Sequence, residues 1–357
     1  MQWARQEAGY SLSDVAEYLK AEEDTLKQWE IDGKEVRYTT LTKLARYYKR
    51  QTAVFFLDKT PKRTKIPKDY RNLNLNSKGL HNETMLAIRR TSRYLSVYRE
   101  LSNEQVYNDQ YKWLKSIRDD NVDSITYLRN ILDISIADQK KKKNQTFNSW
   151  RKKIEDKLGI FVFQFPINNY ELDGFSYIDD GFPYAITVNN KITEKRKIFT
   201  LFHELGHIID GHAGLCLATE VNSTSFNIEA KCNTFAAQFL MPETEMVTPS
   251  DYDDLHQLAE RMGVSKEAYA IRCKSLRIIT DTDFNHYMAI IRQMNGKLKT
   301  KKKTDGFGIP RDVISRSQRG DKFYEFVVSN YESQRLNPTV VRDLLDIKVV
   351  GLGRPPK

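Results

Sequence analysis

Apolar positions recur every three or four residues along most of this chain and alternate only in a short central stretch, so helices are expected to dominate. Residues 1–50 read as a bundle of short helices. Ser11, with Asp14 three residues on, is a capping-box-like start, and Leu12, Val15, Ala16 and Leu19 follow at helical spacing. A second short helix is expected over 23–30, with Leu26 and Trp29 as its apolar positions, and a third over 41–48, leading into Ala53-Val54-Phe55-Phe56-Leu57. Two short helices in tandem, flanked by others, is helix-turn-helix grammar. Pro61, Pro67 and the polar residues 72–78 mark a linker, and Met85, Ile88, Tyr94, Leu95, Tyr98 and Leu101 outline a long helical region. From Trp150 the pattern changes. A helix runs to Leu158, residues 159–163 read as a buried strand, and alternation over 174–177 and 184–188 predicts two more. Residues 193–210 and 251–294 are helical by spacing, 295–308 is a basic linker, and 309–357 reads as a small helical module. The expected fold is therefore multi-domain and mainly α, with an α+β domain near the centre. Its parts are 1–60 (helix-turn-helix), 61–148 (linker and helices), 149–294 (the α+β domain) and 295–357 (basic linker and C-terminal helices).

Composition narrows the class. The 357 residues are 40% hydrophobic and 29% charged, with no apolar run long enough to cross a bilayer. The first residues lack the apolar stretch of a signal peptide. Three cysteines, Cys216, Cys232 and Cys273, fall at no paired spacing. That pattern argues against a disulfide framework and for a reducing compartment, so a cytoplasmic location is expected. The net charge of +10 is unevenly placed. Residues 1–60 carry ten basic and ten acidic side chains, whereas 295–357 carry fourteen basic against seven acidic. Lysine runs such as 301–303 are solvated linkers or nucleic-acid contacts.

Candidate chemistry lies in His203-Glu204-Leu205-Gly206-His207. On a helix over 193–210, Ile198, Leu201, Phe202, Leu205, Ile208 and Ile209 form one apolar stripe. His203 and His207 lie one turn apart on the opposite side with Glu204 beside them, and Gly211 stands at the C′ position. The i,i+4 spacing brings two imidazoles to one metal ion, as tetrahedral zinc requires, and Glu204 is suited to act as base toward a bound water. A catalytic zinc site normally has a third protein ligand. A histidine placed after a downstream glycine fails here, because Asp210 occupies the glycine position and His212 is one residue short. A carboxylate from a following helix fits better. Ile228, Cys232, Phe235, Ala236 and Phe239 form its apolar stripe, and Glu229 and Asn233 share an adjacent face. Glu229 is then the expected third ligand, with Asn233 accepting a hydrogen bond from the distal nitrogen of a ligand histidine.

The stretch Phe199-Thr200-Leu201-Phe202-His203-Glu204-Leu205-Gly206-His207, followed by residues 229–242 with Glu229, Asn233, Phe235, Ala236, Leu240, Met241 and Pro242, resembles the ImmA/IrrE family of metallopeptidases. The similarity extends upstream through Gly174-Phe175 and residues 185–189. The N-terminal part resembles the XRE-like helix-turn-helix often fused to that peptidase. Cys232 stands where the family usually has Ala. The resemblance implies a gluzincin-like α+β fold with Zn2+ held by His203, His207 and Glu229, and Glu204 as general base. It further implies narrow proteolysis of a transcriptional repressor or antitoxin in phage, mobile-element or stress regulation. By analogy with zinc peptidases, strand 185–189 is either an exposed edge for pairing with substrate or sheet structure alone, and Tyr184 and His256 are candidates to stabilise an oxyanion.

DNA contact is a separate question. The expected recognition helix opens with Glu22, Glu23 and Asp24, where acidic side chains are repelled by phosphates, and Lys27 and Gln28 are its only evident readers. The usual turn glycine is absent from residues 19–22. The segment is a DNA-binding helix-turn-helix or a helical protein-interaction module. The tail, with Arg311, Arg316, Arg319 and Arg342, is an alternative phosphate contact. Two rivals to a peptidase stay open: a DNA-binding regulator whose zinc site is structural or sensory, and a toxin-antitoxin component whose fold only docks a partner.

Overall fold

The computed structural model describes residues 1–32, 36–61, 80–102, 110–119, 123–168, 170–178, 181–211, 223–297 and 309–347. The linker positions at 67 and 72–78, the lysines at 299 and 301–303, His212 and Cys216 lie outside the described residues. The chain opens with α1 (Gln2–Glu7), α2 (Leu12–Leu19), α3 (Glu23–Asp32) and α4 (Tyr38–Tyr47). It continues through α5 (Asn82–Leu101), α6 (Lys112–Asp119), α7 (Ser124–Ile131), α8 (Ile136–Gln139) and α9 (Phe147–Lys153). Three strands follow: β1 (Phe161–Phe165), β2 (Gly174–Tyr177) and β3 (Ala185–Asn189). The helices α10 (Glu194–Asp210), α11 (Ser223–Leu240), α12 (Tyr252–Met262), α13 (Lys266–Ser275) and α14 (Asp281–Lys297) come next. The last are α15 (Arg311–Arg319), α16 (Asp321–Glu332) and α17 (Pro338–Leu345).

The first four helices close on Ala4, Ala8, Val15, Ala16, Leu26, Leu44 and Tyr48. Ser11 and Asp14 cap α2 reciprocally, Ser11 Oγ accepting from the Asp14 amide at 3.1 Å and Asp14 Oδ2 from the Ser11 amide at 2.7 Å. In place of a turn glycine, Lys20 adopts a left-handed conformation with φ 54° and ends the helix. The apolar run at 53–57 is a 3₁₀ turn that leaves Phe56 and Leu57 more than half exposed. This bundle is seated on α5, where Arg89 donates to the carbonyls of Glu7 (3.2 Å) and Tyr48 (3.4 Å).

The sheet has the order β1-β3-β2, with β1 parallel and β2 antiparallel to β3. Gly159 at φ 74° ends the preceding helical segment, so β1 starts two residues later than the apolar run suggests. Strand β3, read from the sequence as either a docking edge or plain sheet structure, is central: β1 and β2 occupy its two sides and all five of its residues are buried. Its backbone groups are used by neighbouring strands, which removes it as a docking edge.

Alternation sends the sheet's side chains into two separate cores. Val162, Ile186 and Val188 join α9 to α14 on one face. Phe161, Phe163, Phe165, Phe175 and Tyr177 face the other way, into a cluster with Met85, Ile88, Tyr94 and Leu95 of α5 and with Phe323, Val327, Val341, Leu344 and Leu345 near the C-terminus. Each buried phenyl ring there contributes roughly 1.5–3 kcal/mol. The C-terminal helices thus form, with α5, the second layer over the sheet. Arg151 ties this layer down: its Nη1 donates to Ser317 O at 2.7 Å, its Nη2 to Val162 O, and its Nε to Glu155 at 3.4 Å, all of it buried. This placement corrects one expected phosphate contact. Arg319 is 1% exposed, donates to Leu344 O and stacks over Tyr94, so its guanidinium is an internal strut. Arg316 is held by Asp321 at 2.8 Å, whereas Arg311 and Arg342 remain at the surface.

Candidate metal centre

Helix α10 is fixed from both ends and along its length. Glu194 in its first turn accepts the Phe147 amide at 2.7 Å. Ile198, Leu201, Phe202, Leu205 and Ile208 enter the main core, and Phe202 stacks on Phe239 of α11 at 4.3 Å with Trp150 edge-on at 5.0 Å. Gly206 permits the close approach of α11, since a Cβ there would stand 3.3 Å from Cys232 Cα. Gly211, at φ 78°, returns its amide to His207 O at 3.0 Å, a left-handed C-terminal cap. Arg118 of α6 donates to the carbonyls of Ile208 (2.6 Å) and Ile209 (2.8 Å), placing a cation at the negative end of the helix. Nothing in the sequence around Arg118 marks this contact, which bridges positions 90 residues apart.

The polar side of α10 is buried as well as its apolar stripe: His203, Glu204 and His207 are 6%, 0% and 1% exposed. His203 Nε2 and His207 Nε2 lie 3.1 Å apart. Glu229 of α11 reaches both, Oε2 standing 3.2 Å from His203 Nε2 and Oε1 3.3 Å from His207 Nε2. These three side chains form a group able to hold a metal ion. A tetrahedral zinc with bonds of about 2.0–2.1 Å sets ligand atoms about 3.3 Å apart, so these separations, with a different Glu229 oxygen nearest each histidine, suit such an ion in length and donor type. Asn233, one turn beyond Glu229, places Oδ1 3.0 Å from His203 Nδ1. With that nitrogen carrying the proton, Nε2 keeps its lone pair for the centre of the group. Burial alone lowers the His207 pKa, but the neighbouring Cys232 thiol, Glu229 and the charge of Glu204 raise it to about 11. Burial pushes the Cys232 thiol up.

Glu204 is enclosed between α10 and β2. A Cβ on Gly174 would lie 2.6 Å from Thr200 Cγ2 and 2.8 Å from Thr187 O, so only glycine lets β2 pass so close to α10 on the side that carries Glu204. Other expected residues are placed elsewhere. Tyr184 packs with Tyr111 (5.0 Å) and Phe182 (4.9 Å), its hydroxyl beside Arg118 at the C-terminal end of α10, and burial raises its pKa. His256 is half exposed, 3.9 Å from Glu260. Glu260 pairs with Lys195 in the first turn of α10, roughly 12 Å along the helix from His203 at 1.5 Å per residue. Neither residue belongs to the donor group. Lys27 and Gln28 are exposed on α3, where Lys27 Nζ is held by Asp24 at 2.8 Å.

Residues 155–274 match the IrrE N-terminal-like domain of the M78 peptidases. The match covers about a third of the chain, from the helical turn before β1 to the end of α13. It contains the sheet and the whole donor group. The IrrE-like segment excludes α5 and the C-terminal helices, which cover its sheet, and α6, whose Arg118 holds α10. No curated protein matches the chain.

Proposed function

We propose that this protein is a zinc-dependent endopeptidase in which His203, His207 and Glu229 hold the metal and Glu204 is the general base. The convergence of two imidazole nitrogens and a carboxylate on one point, with a buried carboxylate next to the first histidine, carries the reading. A zinc ion bound there supplies Lewis acidity toward the scissile carbonyl and toward water. Glu204 takes the proton of the attacking water and passes it to the departing amine. Asn233 holds the His203 ring and its tautomer, while α11 and β2 keep bulk water from the reacting groups. The substrate is a specific protein partner, a transcriptional repressor or antitoxin. The exposed acidic side chains of α3, Glu23, Asp24 and Asp32, with Glu22 just before it, support a protein contact there over duplex DNA.

Elemental analysis of the purified protein should find one equivalent of zinc, and coexpression with the products of neighbouring genes should yield a cleaved partner by intact mass. Glu204→Gln should keep the zinc and leave that partner whole. If the partner is cut equally by the Glu204→Gln form, the assignment of the base fails. If biological activity persists without cleavage, the metal is structural or sensory and the chain acts as a regulator.

A further inference from the structure

Among the described residues, the seam between the N-terminal bundle and α5 gathers three arginines, Arg50, Arg89 and Arg93, with one ion-paired carboxylate, Glu7. Arg89 is 8% exposed, and among the described residues its guanidinium is satisfied by the main-chain carbonyls of Glu7 and Tyr48. Arg50 lies over the Trp3 ring at 4.6 Å, with Nη2 3.7 Å from Glu7 Oε2, and its buried Nε has no hydrogen-bond partner among the described residues. Arg93, one turn beyond Arg89 on α5, is exposed and forms no ion pair among the described residues. Of the three guanidiniums, only Arg50 is ion-paired among the described residues, to Glu7. The seam itself is tight, a Cβ at Gly9 standing 3.1 Å from Asn82 Cα. Taking cations out of water is costly unless an anion or a set of hydrogen bonds compensates. The cost is visible at Arg89, whose pKa is pushed down to about 9, first by burial and then by Arg50.

We propose that Arg50, Arg89 and Arg93 form a seat for a phosphoryl group, with Arg50 and Arg93 supplying the contacts and Arg89 fixing the local field. A planar guanidinium with open N–H donors is matched to phosphate oxygens. The group comes either from a nucleic-acid backbone or from a free phosphate compound. Lys43, Arg46 and Lys49, exposed on α4 and the turn after it, lie close to Arg50 in the chain and extend the positive surface for a longer polyanion.

Isothermal titration of the full-length protein with inorganic pyrophosphate, and separately with a short duplex DNA, tests the seat in low-chloride buffer. Pyrophosphate should bind, and Arg50→Gln or Arg93→Gln should each weaken it about tenfold or more, the loss of one charge-assisted contact. Arg93 is exposed, so its variant keeps the fold, which circular dichroism verifies. If a nucleic-acid backbone is the source, the duplex binds more tightly than pyrophosphate, loses affinity with salt, and is weakened by Lys43→Gln/Arg46→Gln, which leaves pyrophosphate unaffected. If a free phosphate compound is the source, pyrophosphate binds and the duplex does not. Absence of binding to both probes at millimolar concentration, or binding that both arginine variants leave unchanged, overturns the proposal.

Discussion

At the scale of single residues, the candidate metal group leans on side chains outside it. Asn233 Oδ1 at 3.0 Å from His203 Nδ1 sets which nitrogen of that ring carries a proton. Asn233→Ala should therefore weaken zinc binding about 10–100-fold with helix content unchanged, as read by competition with a chromophoric chelator. Glu204→Gln should leave zinc affinity near the parent value while cleavage falls about 10²–10⁴-fold, the usual contribution of a positioned base. Gly206 works through space rather than chemistry. The branched side chain of Gly206→Val would meet Cys232 Cα and the Phe235 ring, and thermal or urea unfolding should show a loss of about 1–3 kcal/mol.

At the scale of elements, α9 and the π turn after it, Ile154–Leu158, carry a buried ion pair that links β1 to the C-terminal helices. Arg151 and Glu155 are 4% and 2% exposed, and Glu155 also accepts the Val162 amide at 3.3 Å. Gly320, at φ 80°, passes directly over the pair, where a Cβ would collide with Glu155 Oε1. Arg151→Met strands Glu155 without its cation and should destabilise the protein by about 3–5 kcal/mol in urea unfolding. The double change Arg151→Met/Glu155→Leu should recover much of that loss, because no charge is then left unpaired.

At the scale of the whole molecule, the family-matched segment is not a complete body. One face of its sheet, with Phe161, Phe163, Phe165, Phe175 and Tyr177, is covered by α5 and by α15 to α17, all outside residues 155–274. A chain ending at residue 308 should expose that aromatic face, bind a hydrophobic dye and lose its sharp thermal transition. A fragment of residues 155–274 alone should behave likewise and lack the Arg118 contacts to α10. Full-length protein stripped of metal with a chelator should instead melt cooperatively at a lower temperature, restored by zinc, because binding to the folded state adds to its stability.

The local parts of the molecule were legible in the amino-acid order. Histidines four apart face one side of a helix whatever surrounds it, and Glu229 with Asn233 repeats that spacing on the next helix. Ser11 with Asp14, Gly211 after the paired histidines and the alternating run at 174–177 likewise act within a few residues of themselves. The tertiary structure alone decided that β3 is central, because pairing on both sides of a strand leaves no mark in its own alternation when both faces are buried. It also decided that the polar side of α10 is enclosed, that Arg319 points inward, and that α5 shares a core with the C-terminal helices. Those outcomes rest on contacts such as Thr91 with Thr187 (2.8 Å) and Arg151 with Ser317, whose partners lie 96 and 166 residues apart. Side-chain periodicity shows that a face will be covered, and only the folded chain selects what covers it.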